Sequence, residues 1–206
     1  MIVYHLDRKN SFPSDPSLQL SHPIDTINTK EANIFFNSAY PKGFSYTGLR
    51  YANPFDVKLS DYNSSKATFE NFRIFTIEYV FEVVRMFHFP QCPSRFTSLF
   101  ACREKKDVKC WYEILSKNSM DTSNTTVKII EISNSFFIGD SSWRDKRQNL
   151  ITEEHSEPFP IFSPFAYHEW AKYYWSGYLS ENPKYEVLCE LPVTVLDSIP
   201  YSSFEF

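Results

Sequence analysis

Residues 185–196 read YEVLCELPVTVL, a pattern that predicts two β-strands rather than one. Pro192 has no amide hydrogen to give to a ladder, so strands are predicted at 185–190 and 193–196, on either side of it. Alternation along the first sends Glu186, Leu188 and Glu190 one way and Tyr185, Val187 and Cys189 the other. Just upstream, residues 163–178 carry the punctuation of a helix. Ser163 suits the N-cap, Pro164 the first helical position, and Gly177 the end. Tyr167, Ala171, Tyr174 and Tyr178 form one stripe of it.

Further toward the amino terminus, TVKIIEI predicts a strand at 126–132, entered from the polar loop SKNSMDTSNTT. A charged helix is expected over 103–116 and a strand over 95–102 (RFTSLFAC). The longest helix is predicted over 68–88, from an N-cap at Thr68 to a stop at Pro90. In it Phe69, Phe72, Phe75, Tyr79, Val83 and Met86 recur at helical spacing, with Glu70, Arg73, Glu82 and Arg85 largely opposite. A short helix over 30–40, stopped by Pro41 and Gly43, a loop at 10–30 and a strand at 2–6 (IVYHL) complete the chain. No repeat or linker interrupts it, so a single domain is expected over 1–206. The mixed order of elements predicts an α+β fold around a split antiparallel sheet.

Composition narrows the function. The chain of 206 residues holds 20 Phe, 13 Tyr and 4 Trp but only 4 Gly. Those glycines, Gly43, Gly48, Gly139 and Gly177, spell neither the G-x-G-x-x-G dinucleotide turn nor the G-x-x-x-x-G-K-[ST] phosphate loop. A Rossmann dehydrogenase or P-loop NTPase is thereby excluded. The net charge of −4 gives no global attraction to nucleic acid or anionic lipid, so a nucleic-acid partner needs a local patch. Cys92, Cys102, Cys110 and Cys189 form no C-x-x-C pair, which argues against structural zinc and fits a reducing cytoplasm. The start, MIVYHLDRKN, is no signal peptide, and Glu78 and Glu82 interrupt the most apolar stretch, 74–84.

Three stretches offer chemistry. In YHLDR, His5 and Arg8 bring an imidazole and a guanidinium into one short turn, which suits an anionic ligand with hydroxyls. The alternative is a histidine that merely satisfies a hydrogen bond in its strand. In PSRFTSLF, an extended chain puts Ser94, Phe96, Ser98 and Phe100 on one face and Arg95, Thr97 and Leu99 on the other. Hydroxyls interleaved with aromatics can line a nucleotide pocket, or simply begin a strand with a capped turn. In YEVLCE, Glu186 opens an apolar strand, as a ligand-facing carboxylate or as a solvent-facing one.

Taken in order, YHLDR, GLRY, PSRFTSLFAC, IIEI followed by Asp140 and Trp143, YYWSG and YEVLCELPVTVL resemble a bacterial group of ADP-ribosyltransferase-like toxin and defence domains. The resemblance implies a sheet split into two halves that clasp NAD without a glycine fingerprint. It implies His5 as a first-strand ligand of the adenosine ribose or the nicotinamide amide. Ser94, Arg95, Thr97 and Ser98 would line the nicotinamide-ribose pocket, with Arg8, Arg95 or Arg50 on the pyrophosphate and Tyr174 stacked on nicotinamide. Glu186 matches the late catalytic glutamate, because Glu-Val-Leu resembles the pattern of the DNA- and RNA-modifying toxins; Glu190 is the second choice. Phe96-Thr97-Ser98-Leu99 departs from the Ser-Thr-Ser pattern, and Lys184 stands where arginine-modifying members carry Glu or Gln. The implied activity is NAD-dependent ADP-ribosylation by a toxin or phage-defence effector. The resemblance implies nucleic acid as the acceptor, RNA favoured over DNA, with an antitoxin and a chaperone as partners.

Two other classes stay open beside it: a protein-directed transferase, and a binding module of the same fold without turnover. A cysteine or serine hydrolase is poorly supported, since Cys92 has only His88 nearby in sequence. His155 is expected in a charged loop with Glu153, Glu154 and Glu157 and reads as solvated. No metal is expected, because no set of ligands converges.

Overall fold

The structure is a computed structural model describing residues 1–8, 12, 34, 38–45, 47–48, 65–117, 122, 124–146, 148–152, 155–161 and 163–206, with only the backbone at 65–72, 148–152 and 155–161. The predicted loop at 10–30, most of the helix at 30–40 and Arg50 lie outside the described residues. Twelve elements follow in chain order: β1 (Ile2–Asp7), α1 (Ser65–His88), β2 (Ser98–Ala101), α2 (Lys105–Lys117), β3 (Thr126–Glu131) and β4 (Phe136–Asp140). Then come α3 (Ser142–Asp145), β5 (Gln148–Thr152), β6 (His155–Ile161), α4 (Pro164–Trp175), β7 (Tyr185–Glu190) and β8 (Thr194–Pro200).

The class is mixed α+β. Two three-stranded antiparallel sheets, ordered β1-β3-β8 and β2-β7-β4, form the body, and β5-β6 pair with each other in a separate hairpin. Between the two sheets β1 meets β2 at one bridge, where Tyr4 N donates to Cys102 O (2.9 Å) and Cys102 N to Tyr4 O (2.7 Å). Past that bridge the two strands part.

Each sheet is apolar on both faces. Val3, Ile130 and Ile132 of the first sheet and its margins pack on Leu99, Ala101, Val187 and Cys189 of the second, so the sheets bury one another. The opposite face of β7 and β4 packs on α1 and α4, where Leu188 meets Ile77, Phe81, Val84, Tyr167, Ala171 and Tyr174. Helix α2 covers the outer face of the first sheet through Val108 against Val127 and Cys102. The alternation predicted for 185–190 is therefore what the core uses, with both parities buried.

Three local expectations change. The buried stripe of α1 is Ile77, Glu78, Phe81, Glu82 and Val84, whereas Tyr79 and Met86 are exposed. The helix is aromatic almost all round, so spacing alone selects no face; the two carboxylates go inside because cations and hydroxyls await them there. Second, the strand expected at 95–102 is confined to Ser98–Ala101, because a turn closed by Thr97 N on Ser94 O (3.2 Å) occupies 94–97. Third, α4 ends at Trp175, so Tyr178 leaves the stripe and Trp175 joins it, donating Nε1–H to Phe81 O of α1 at 2.8 Å. The strand β4, the turn α3 and the hairpin β5-β6 were not predicted.

Gly139 in β4 is required by a close approach. A Cβ there would stand 2.5 Å from Tyr174 Cε2 and 2.8 Å from Phe137 Cε1. Gly139→Ala is expected to destabilise the protein by about 1–3 kcal/mol through overpacking, read as a lower urea midpoint at unchanged slope.

Candidate functional site

The site is built around Arg95. The turn after α1 directs its side chain under the helices, and it is 0% exposed. Nε donates to Glu78 Oε2 (2.6 Å) and Nη2 to Glu78 Oε1 (3.1 Å), a forked pairing that fixes the guanidinium plane. Nη1 donates to Glu186 Oε1 (2.5 Å) and to Tyr174 OH (2.8 Å), and Tyr174 OH in turn donates to the same Glu186 Oε1 (2.9 Å). The Phe100 and Tyr174 rings lie 4.8 and 5.3 Å from the guanidinium carbon. One cation thus joins α1, the turn into β2, α4 and β7.

Burial works against a charged guanidinium, but Glu186 and then Glu78 outweigh it and keep Arg95 firmly protonated. Burial, with the Glu186 carboxylate beside it, likewise holds the Tyr174 phenol far above its ordinary range. The chain of charges continues outward. Arg144 Nη1 lies 3.5 Å from Glu78 Oε1, Arg144 pairs with Asp145 at 2.8 Å, and Lys184 stands 3.7 Å from Asp145. Signs alternate along it from Glu186 to Lys184. Burial opposes ionisation of Asp145, yet Arg144, Lys184 and Arg95 hold its carboxyl below the usual range.

Glu186 is 4% exposed, which removes its reading as a solvent-facing residue. Both of its hydrogen bonds fall on Oε1; among the described residues Oε2 has no partner. Glu190 is exposed and its amide bonds Ser135 O (3.0 Å).

The other expected residues separate into groups. Arg95 and Tyr174 join Glu186, although Arg95 is committed to carboxylates and the Tyr174 ring is enclosed by Phe81, Phe137 and Trp175. Ser98 lies in β2 with its buried Oγ unpartnered among the described residues. Ser94 Oγ accepts Phe96 N (3.1 Å) within the turn, and Thr97 is half-buried there. His5 lies at the fork instead. Its Nδ1 donates to Phe100 O (2.7 Å), a β2 carbonyl near the point where β1 and β2 part, and its ring packs 5.2 Å from Phe12. Burial pulls the His5 pKa below its ordinary 6.5, with the Phe100 carbonyl and Asp7 opposing. Around it stand Asp7, Arg8 and Lys128, the last donating to Ser198 Oγ (2.9 Å).

The register relates the two groups. Ala101 pairs with Val187, so Cys102 falls beside Glu186, and Tyr4 bridges Cys102. His5 and Glu186 are thus two strands apart, with backbones roughly 10 Å from each other by strand spacing. Paired residues share a face, so Glu186 leaves the sheet toward the helices with Tyr4 and Cys102, and His5 leaves by the other face. Phe100 stands between them, its carbonyl on His5 and its ring on Arg95. At the fork the two side chains leave by opposite faces of the strands.

Asp140 and Trp143 clamp the segment before β7. Asp140 accepts Ser142 N (2.9 Å), Ser180 N (2.8 Å) and Lys184 N (2.8 Å), and Trp143 Nε1 donates to Tyr178 O (2.7 Å). Burial resists the Asp140 charge, and the bonds from Ser180, Lys184 and Ser142 overcome it, so the carboxyl sits below its usual range. Burial also pushes the Cys189 thiol up to about 12 and raises those of Cys102 and Cys92, which leaves them poor nucleophiles. Sequence reasoning missed Glu78 and Arg144. A carboxylate such as Glu78 inside an aromatic helix stretch was the available signal. Among the described residues no cluster of three metal-ligating side chains occurs, and no helix is long and apolar enough to cross a membrane.

A mixed α+β chain with a split pair of sheets and a buried Arg–Glu centre is the class that the fold and the site define. The chain belongs to the family described as Protein of unknown function (DUF2441), whose model matches residues 3–201. No curated protein matches it.

Two outcomes follow from the site. Arg95→Met strands two buried carboxylates and is expected to cost about 3–5 kcal/mol; adding Glu78→Gln and Glu186→Gln should recover part of the loss in urea titrations. Folded His5 takes up its proton less readily than unfolded His5. Its contribution to stability is therefore complete above pH 6.5 and lost as pH falls below it. His5→Asn should flatten that limb of a stability–pH curve.

Proposed function

We propose that the protein is an NAD-dependent ADP-ribosyltransferase, a toxin or phage-defence effector acting on nucleic acid, with RNA favoured over DNA and Glu186 as the catalytic carboxylate. The observation that carries this reading is the state of Glu186. On the penultimate strand, beside the fork between two half-sheets, it is gripped through Oε1 and keeps Oε2 without a partner among the described residues.

Such a carboxylate suits the cleavage of NAD. When the nicotinamide–ribose bond breaks, its electron pair leaves with nicotinamide and positive charge develops on the ribose. A preorganised carboxylate accepting a hydrogen bond from a ribose hydroxyl stabilises that charge. The acceptor then attacks the ribose carbon, and its proton passes to Glu186. His5 and Arg8, on the other side of the fork, would hold the rest of the nucleotide, Arg8 as a donor to phosphate. Ser98 offers a buried hydroxyl on the strand between them.

Support for a nucleic-acid acceptor comes from an aromatic surface around Trp143 of α3. Tyr173 and Tyr178, 43% and 61% exposed with rings 5.5 Å apart, flank Trp143, and Lys146 lies 4.0 Å above the Trp143 ring. Exposed aromatics beside a cation accept a stacked base with little regard to sequence.

The near-complete burial of Glu186 favours a second reading, a nucleotide-binding module of the same fold without turnover. Incubation with NAD labelled in the adenylate phosphate, in the presence of RNA, DNA and protein, separates the readings. The transferase releases nicotinamide and labels RNA, and Glu186→Gln lowers release by about 10²–10³-fold. Label on protein redirects the acceptor. Binding without release supports the module, and the absence of both overturns the NAD reading.

A further inference from the structure

We infer that Glu78 and Tyr174 are positioning residues that keep one oxygen of Glu186 available for chemistry. The inference rests on the reading of Glu186 as catalytic and concerns how it is held. A guanidinium and a carboxylate left alone in a dry interior pair through two parallel N–H···O bonds, which occupies both oxygens. Arg95 does form that fork, but with Glu78: Nε and Nη2 are spent on Glu78 Oε2 and Oε1. On the side toward β7, Nη1 meets Glu186 at Oε1.

Tyr174 completes the constraint. Its hydroxyl accepts from Nη1 and donates to the same Oε1, so two donors converge on one oxygen and oppose rotation of the carboxylate. The ring that carries this hydroxyl is wedged among Phe81, Phe137 and Trp175, and Gly139 leaves the space it needs. The outcome is a carboxylate with one oxygen that accepts two bonds and one that has no partner among the described residues. Remove the second edge of Arg95 from Glu78, and the fork is released to take both oxygens of Glu186.

The test uses the full chain and NAD, with nicotinamide release as the readout and thermal unfolding alongside. Tyr174→Phe keeps the ring and removes the hydroxyl; Glu78→Gln keeps the shape and weakens the fork. Both are expected to lower kcat by roughly tenfold or more, the range for losing a hydrogen bond to a charged group. KM for NAD should stay within about twofold, a split that a loss of folded protein does not produce. If Glu78→Gln fails to fold, Tyr174→Phe carries the decision alone. Wild-type kcat in folded Tyr174→Phe overturns the positioning role while leaving the transferase reading intact. An inactive wild type overturns the transferase reading and the inference with it.

Discussion

A guanidinium with no access to water has to be satisfied by the protein, and the partners of Arg95 dictate which elements of this chain must meet. Its donors require a carboxylate from α1, a carboxylate from the start of β7 and a phenol from α4. Desolvating an ion costs several kcal/mol even after relaxation, so a partly assembled centre is worse than none. The centre consequently contributes less to net stability than to uniqueness of packing: only one placement of α1 and α4 on the β2-β7-β4 sheet leaves no charge alone. The apolar contacts around it, Leu188 against Phe81, Val84 and Tyr174, supply the burial that offsets the cost.

The same economy explains the fork. Where β1 leaves β2, buried backbone carbonyls need donors as they do elsewhere. His5 supplies a donor to Phe100 O there, and burial keeps its ring neutral. Phe100 therefore touches both halves of the chemistry-bearing region, with its carbonyl on the imidazole and its ring on the guanidinium. The two polar groups are close in the sheet and yet separated by its thickness, a consequence of strand parity rather than of distance.

Much of this was legible in residue order. The boundaries of β7, the alternation within it and the capping of α4 follow from local rules that tertiary contacts did not override. The face of α1 was not legible, because Phe, Tyr and Val surround it and no apolar stripe stands out; the buried side is marked by Glu78 and Glu82, which pattern rules assign to solvent. Arg95 was read as a strand residue with a ligand-binding fork, and only the turn at 94–97 reveals that it points under the helices. Local pattern left Glu186 open between a ligand-facing and a solvent-facing carboxylate, because its partners lie 12, 91 and, through Arg95, more than a hundred residues away in sequence. Such pairings carry no local spacing to detect.

Asp140 and Trp143 show how a motif can matter without touching a ligand. Together they pin residues 178–184 by three hydrogen bonds, at Tyr178, Ser180 and Lys184. The pinned segment feeds directly into β7, so it sets the register in which Glu186 enters the sheet opposite Gly139. A shift of one residue there would exchange Glu186 for Val187 against the guanidinium, since side chains alternate along a strand. Helix α3, which supplies Trp143, also supplies Arg144 to Glu78. The clamp and the charge chain are therefore one device with two anchors. It holds the carboxylate of β7 and its cation in register from both the strand side and the helix side.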